Sequence, residues 1–168
     1  MSIPTFEATG DLPVGIHLAT WQEVEETFAF NPRRQELLSG LQRACESLKQ
    51  VGCPRIYIGG SFVTNKEFPG DFDVCWADET VNFIQLNEID PVLLNFKNKR
   101  AAQKAKYGGE LFPANSIADL DSLETYLEFF QKKMENQREL LRLTCREAKN
   151  YLKKYLMFYN FYFLIDSS

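Results

Sequence analysis

The sequence contains a single histidine, His17, so neither a His-dependent hydrolytic triad nor a His-based metal site has material to draw on. His17 is read as structural. The four cysteines, Cys45, Cys53, Cys75 and Cys145, lie far apart and form no C-x-x-C pair, which removes the usual zinc-ligand spacing. They read as reduced thiols. Positive charge is not in excess: 19 Lys and Arg against 23 Asp and Glu leave a net charge of -4. That balance argues against a general nucleic-acid coat and leaves room only for a local basic patch. Long apolar runs are also missing. Residues 155–165 are uncharged and aromatic but fall short of the roughly 20 residues a membrane helix needs. The first eleven residues carry Glu7 and Asp11 and show no basic start or apolar run of a secretory signal, so a cytoplasmic location without a membrane partner is expected. There is no internal repeat and no low-complexity tract.

What is present suits one domain: 168 residues, 45% hydrophobic and 14% aromatic, are enough for a packed core. Residues 1–19 read as an extended arm, 20–131 as the core, and 132–168 as a C-terminal helix followed by an aromatic tail. Thr20 and Glu23 form a capping box ahead of Trp21, Val24 and Phe28 at helical spacing. Pro32 opens a second helix whose stripe of Leu37, Leu38, Leu41, Ala44, Cys45 and Leu48 ends before Gly52. Ile56–Ile58 and Phe72–Trp76 are β-rich runs framing a loop. Val81–Leu86 and Val92–Phe96 fit strand or helix equally. Residues 98–106 look helical up to Gly108-Gly109, TYLEFFQ (125–131) reads as a strand from its aromatics and Thr125, and 132–156 reads as helix. The expected fold class is α/β (α+β), a small mixed sheet with N-terminal helices and a C-terminal helix.

The chemistry is concentrated in IYIGGSFVTNKEFPGDFDVCW, residues 56–76. Alternation along a strand puts Asp71 and Asp73 on one face and Phe72 and Val74 on the other. Two adjacent carboxylates repel unless a cation neutralises them, and Mg²⁺ is typically held by one or two carboxylates plus phosphate oxygens. Gly59 and Gly60 let the backbone approach a phosphate closely, and the Ser61 hydroxyl can donate to the same oxygens. Lys66, in the intervening loop, is either an ammonium able to reach a nucleotide phosphate or a soluble loop residue. Lys97, Lys99, Arg100, Lys104 and Lys106 form a basic run, read first as a solvated helix face and second as a patch for triphosphate or RNA.

In order, Gly60, Ser61, Asp71 and Asp73 resemble the signature of the DNA polymerase β-like nucleotidyltransferase superfamily, a Gly-Ser turn after a strand followed by an Asp-x-Asp strand. The phrases LPVGIHLATW, NPRRQELLSGL, GGSFVTNKEFPGDFDVCW, NKRAAQKAKYGGELFPA and TYLEFFQ look more narrowly like a largely uncharacterised family of small bacterial nucleotidyltransferase-like proteins, over roughly Leu12 to Gln131. The resemblance implies transfer of NMP from a nucleoside triphosphate such as ATP to a protein, RNA or small-molecule hydroxyl. It also implies two Mg²⁺ ions held by three carboxylates, the third from a later strand. Glu128, flanked by Leu127 and Phe129, is the expected third, with Asp90 as the alternative. Small relatives in the superfamily act as toxins, antitoxins or antibiotic-modifying enzymes. The rival reading is therefore a catalytically weak binding module acting on a partner, with Tyr155, Phe158, Tyr159, Phe161 and Phe163 offering an interface to a protein or a second copy.

Overall fold

The computed structural model describes residues 3–135 and 140–145. The order is β1 (Ile16–Leu18), α1 (Trp21–Phe28), α2 (Pro32–Gln50), β2 (Arg55–Gly59), a 3-10 turn (Gly60–Val63), β3 (Asp73–Trp76), α3 (Phe83–Ile89), a second 3-10 turn (Pro91–Leu94), α4 (Lys97–Tyr107), β4 (Glu110–Pro113), β5 (Ile117–Asp119), β6 (Glu124–Thr125), α5 (Tyr126–Glu135) and β7 (Leu140–Thr144). This is a mixed α+β architecture, with a five-stranded mixed sheet ordered β1-β7-β2-β3-β4 and a separate β5-β6 ribbon. β2 runs antiparallel to β3 and β7, whereas β3 and β4 are parallel, as are β1 and β7.

Local chemistry explains the helices. The Thr20–Glu23 capping box is formed, with Thr20 accepting from the Glu23 amide and Glu23 accepting from the Thr20 amide. Asn31 caps α2 and Pro32 stands in its first turn. Gly108, left-handed at φ 88°, ends α4. The sheet separates two apolar layers. On one face, Ile56, Ile58, Val74, Trp76, Leu111, Leu141 and Leu143 meet the inward stripes of α1 and α2. On the other, Tyr57, Cys75, Phe112 and Leu140 meet Tyr126, Leu127 and Phe130 of α5. α2 and α4 approach so closely that a Cβ at Gly40 would fall 1.8 Å from the Tyr107 carbonyl oxygen.

Several expectations are corrected. The 125–131 segment is not a strand: its aromatics belong to α5, where Tyr126 stacks at 4.5 Å on Phe112 and Phe130 at 5.6 Å. The 132–156 segment is not one helix, because residues 140–144 form β7 inside the sheet, with Leu141 and Leu143 in one layer and Leu140 in the other. The N-terminal arm is incorporated into the fold. Leu12 is buried, Asn65 N donates to Gly10 O at 2.8 Å, and Ile16–Leu18 pair with β7. The ambiguous stretches resolve into α3 and the second 3-10 turn. The rest of the expected C-terminal helix and the aromatic tail, 146–168, lie outside the described residues. All four cysteines are free and buried. Among the described residues, no helix is long and apolar enough to cross a membrane.

Candidate active site

Gly60 and Ser61 open the turn that leaves β2, and Gly59 is the register partner of Asp73. Gly60 adopts φ +73°, and a Cβ there would lie 2.5 Å from Asp73 Oδ2. Only glycine lets the turn stand against that carboxylate. Asp73 opens β3, whereas Asp71 lies two residues ahead of it and outside the strand expected to carry both; each is half-buried and Phe72 between them is fully buried. The structure therefore brings Gly59, Gly60, Ser61, Asp71 and Asp73 together at one end of the sheet.

Glu128 is not at that end on a neighbouring strand. The strands beside β3 are β2 and β4, and Glu128 sits in the first turn of α5. There its carboxylate accepts from Thr125 N at 2.9 Å and Thr125 Oγ at 2.8 Å, closing a second capping box. Asp90, the alternative, is buried elsewhere and accepts from Ser47 Oγ, the Lys106 ammonium and the Tyr107 hydroxyl. Burial alone would raise its pKa, but those donors outweigh it and hold the carboxyl below the usual range.

The acid that the register delivers beside Asp73 is Glu110, its partner on the parallel strand β4. Burial pushes the Glu110 carboxyl up, yet Lys104 and Arg100 outweigh that and hold it below the usual carboxylate range. Lys104 Nζ lies 2.7 Å from Glu110 Oε1 and 3.3 Å from Asp71 Oδ2, and Arg100 Nε lies 2.9 Å from Glu110 Oε2. Hydrogen bonding to Glu110 in turn raises the Lys104 pKa. Arg100 reaches this position through a left-handed turn over Asn98, Lys99 and Arg100, with its guanidinium 4.8 Å over the Phe112 ring. Among the described residues, no three His, Cys, Asp or Glu side chains are already gathered to metal-ligand spacing. Cations of α4 neutralise the acids instead.

Two residues of the site escaped the sequence reading. Glu110 heads an apolar strand straight after Gly108-Gly109, which is the same oddity that drew attention to Glu128. Arg34 falls on the inward stripe of α2, three residues before Leu37. Its guanidinium is fully buried and donates to the carbonyls of Phe28, Phe62, Thr64 and Lys66, fastening the loop after the Gly-Ser turn. Burial lowers its pKa to about 10. The Lys66 side chain is exposed, and it is the Lys66 carbonyl that Arg34 holds.

Neither a curated protein nor a solved structure matches the chain at a significant level. One family model matches residues 4–143, which include Gly60, Ser61, Asp71, Asp73, Arg100, Lys104 and Glu110. The chain belongs to that family, a family of unknown function designated DUF6932.

Proposed function

We propose that the protein is a nucleotidyltransferase-type enzyme that moves NMP from a nucleoside triphosphate to an acceptor hydroxyl. The observation that carries this reading is Gly60 pressed against Asp73, with Glu110 in register on the next strand and Asp71 joined to Glu110 through Lys104. The donor chemistry fits Mg²⁺: three carboxylates at one sheet end, beside a glycine turn that leaves room for a phosphate. Asp71, Asp73 and Glu110 would hold the metal, which when bound supplies charge neutralisation of the phosphates and activation of the attacking hydroxyl. Binding it requires Lys104 to leave Asp71 and Glu110. The released ammonium, with Arg100, is then a counter-charge for triphosphate oxygens. Arg34 keeps the Gly60–Val63 turn in place through the reaction, so the phosphate cradle need not reorganise.

Incubation of the protein with α-³²P-labelled nucleoside triphosphates, Mg²⁺ and cell extract should transfer label to an acceptor, and Asp73→Asn should abolish the transfer. Label transfer unchanged in Asp73→Asn would overturn the reading. One observation favours a second reading, a nucleotide-binding module without transfer: Lys104 and Arg100 already neutralise Glu110 without metal. That reading predicts Mg²⁺-independent triphosphate binding and no label transfer.

A further inference from the structure

A cleft of about 300 Å³ opens between α2 and α4 beside Asp71, lined by Arg33, Glu36, Arg43, Lys104 and Lys106 among others. Four cations and two carboxylates line it, and Glu110 and Asp90 reach two of the cations from outside the lining, in a chain whose net charge is -4. Three of the cations have carboxylate partners: Arg33 with Glu36, Lys104 with Asp71 and Glu110, Lys106 with Asp90. Arg43 has none within ion-pair distance among the described residues. Its guanidinium donates to Ser39 Oγ at 3.2 Å and to the Lys106 carbonyl at 3.1 Å, two neutral acceptors that leave its charge uncompensated. The Lys106 backbone thus holds Arg43 at the cleft.

The position of the cleft matters as much as its charge. β3 lies between β2 and β4, so the Gly-Ser turn flanks it on the β2 side and touches Asp73, whereas the cleft flanks it on the α4–β4 side and ends on Asp71. We infer that this cleft holds the phosphate group of a small phosphomonoester acceptor. The word acceptor rests on the transfer reading above; the phosphate does not. The uncompensated guanidinium fork of Arg43 suits a tetrahedral dianion. A volume of about 300 Å³ is at the lower end of the roughly 300–1,000 Å³ of ligand pockets and takes one phosphorylated unit rather than a folded polymer. With triphosphate on the Gly60 flank and acceptor on the Asp71 flank, the acceptor hydroxyl would approach the α-phosphorus across β3. The new O–P bond forms as the bond to the β-bridging oxygen breaks, pyrophosphate leaves with the electron pair, and the hydroxyl proton passes to water.

Calorimetric titration of the intact chain with glycerol 3-phosphate in EDTA tests this. Saturable binding is expected in wild type and in Asp73→Asn alike, at least tenfold weaker in Arg43→Glu and weakened in the milder Arg43→Gln, with melting temperatures close to wild type. Absence of saturable binding, indifference to both Arg43 variants, loss in Asp73→Asn, or binding of a short RNA oligonucleotide in place of the phosphomonoester would each overturn the inference. If Asp73→Asn retains Mg²⁺–triphosphate binding and transfer, the transfer reading fails and the acceptor role with it, while the phosphate site is still decided by the Arg43 variants.

Discussion

Two cations stand on either side of the carboxylate-bearing strand and are held in opposite ways. Arg34 is fully buried, and its guanidinium spends its donors on four backbone carbonyls with no carboxylate in the set. Lys104 has a side chain 42% exposed, bound only to carboxylates. A buried donor cannot leave without stranding its acceptors in a medium where no water replaces it. An exposed ammonium can exchange one anion for another at little net cost. The first arrangement fixes the loop that follows Gly60 and Ser61, and the second leaves the acids free to change partner.

The contrast breaks most visibly at Arg34. Arg34→Met should cost about 3–5 kcal/mol, because the buried carbonyls of Phe28 and Phe62 and the part-buried ones of Thr64 and Lys66 lose their donor together. Denaturant unfolding would measure the loss, and hydrogen exchange should show it concentrated in residues 60–66.

Asp90 is intermediate, a buried acid fixed by Ser47, Lys106 and Tyr107. Asp90→Asn should destabilise by about 2–3 kcal/mol at neutral pH. The Asp90 pKa is depressed in the folded state, so its contribution is present above the unfolded value of about 4 and is lost as pH falls through the folded value. A stability profile from pH 7 to pH 2 should therefore be flatter on its acid side in Asp90→Asn, with the Glu110 contribution remaining.

At the small end, Lys104→Met should change stability by no more than about 1 kcal/mol, since the ammonium is 42% exposed and Arg100 still neutralises the buried Glu110 carboxylate. It should instead unmask Asp71 and Glu110. Thermal-shift titration with Mg²⁺ alone should then show tighter binding than in wild type, and weaker binding would place Lys104 in a supporting role that the comparison with Arg34 denies it.

The same motif occurs twice in the chain and was legible once. Thr20-x-x-Glu23 precedes residues at clear helical spacing and reads as a cap, whereas Thr125-x-x-Glu128 is followed by aromatics whose strand preference masks it. Those aromatics are helical because Tyr126, Leu127 and Phe130 have Phe112 and Tyr57 to cover, a tertiary demand that overrides local propensity. LLRLT (140–144) reads as helix for the same kind of reason. Leu and Arg favour helices in isolation, but Ile58↔Leu141 and Ile56↔Leu143 pairing draws the segment into the sheet. Gly60, Ser61, Asp71 and Asp73 were legible because they stand close in sequence around one turn and the start of one strand. Glu110 was not, because its place beside Asp73 depends on a parallel register reached only after α3 and α4.

The most direct test of the account is the affinity for Mg²⁺ with a non-hydrolysable nucleoside triphosphate, measured by calorimetry in wild type, Glu110→Gln and Glu128→Gln. Glu110→Gln should weaken binding at least tenfold. Glu128→Gln should leave it unchanged and lower stability by about 0.5–1 kcal/mol through loss of the α5 cap. Undiminished affinity in Glu110→Gln, or a loss confined to Glu128→Gln, would contradict the assignment of Asp71, Asp73 and Glu110 as one site.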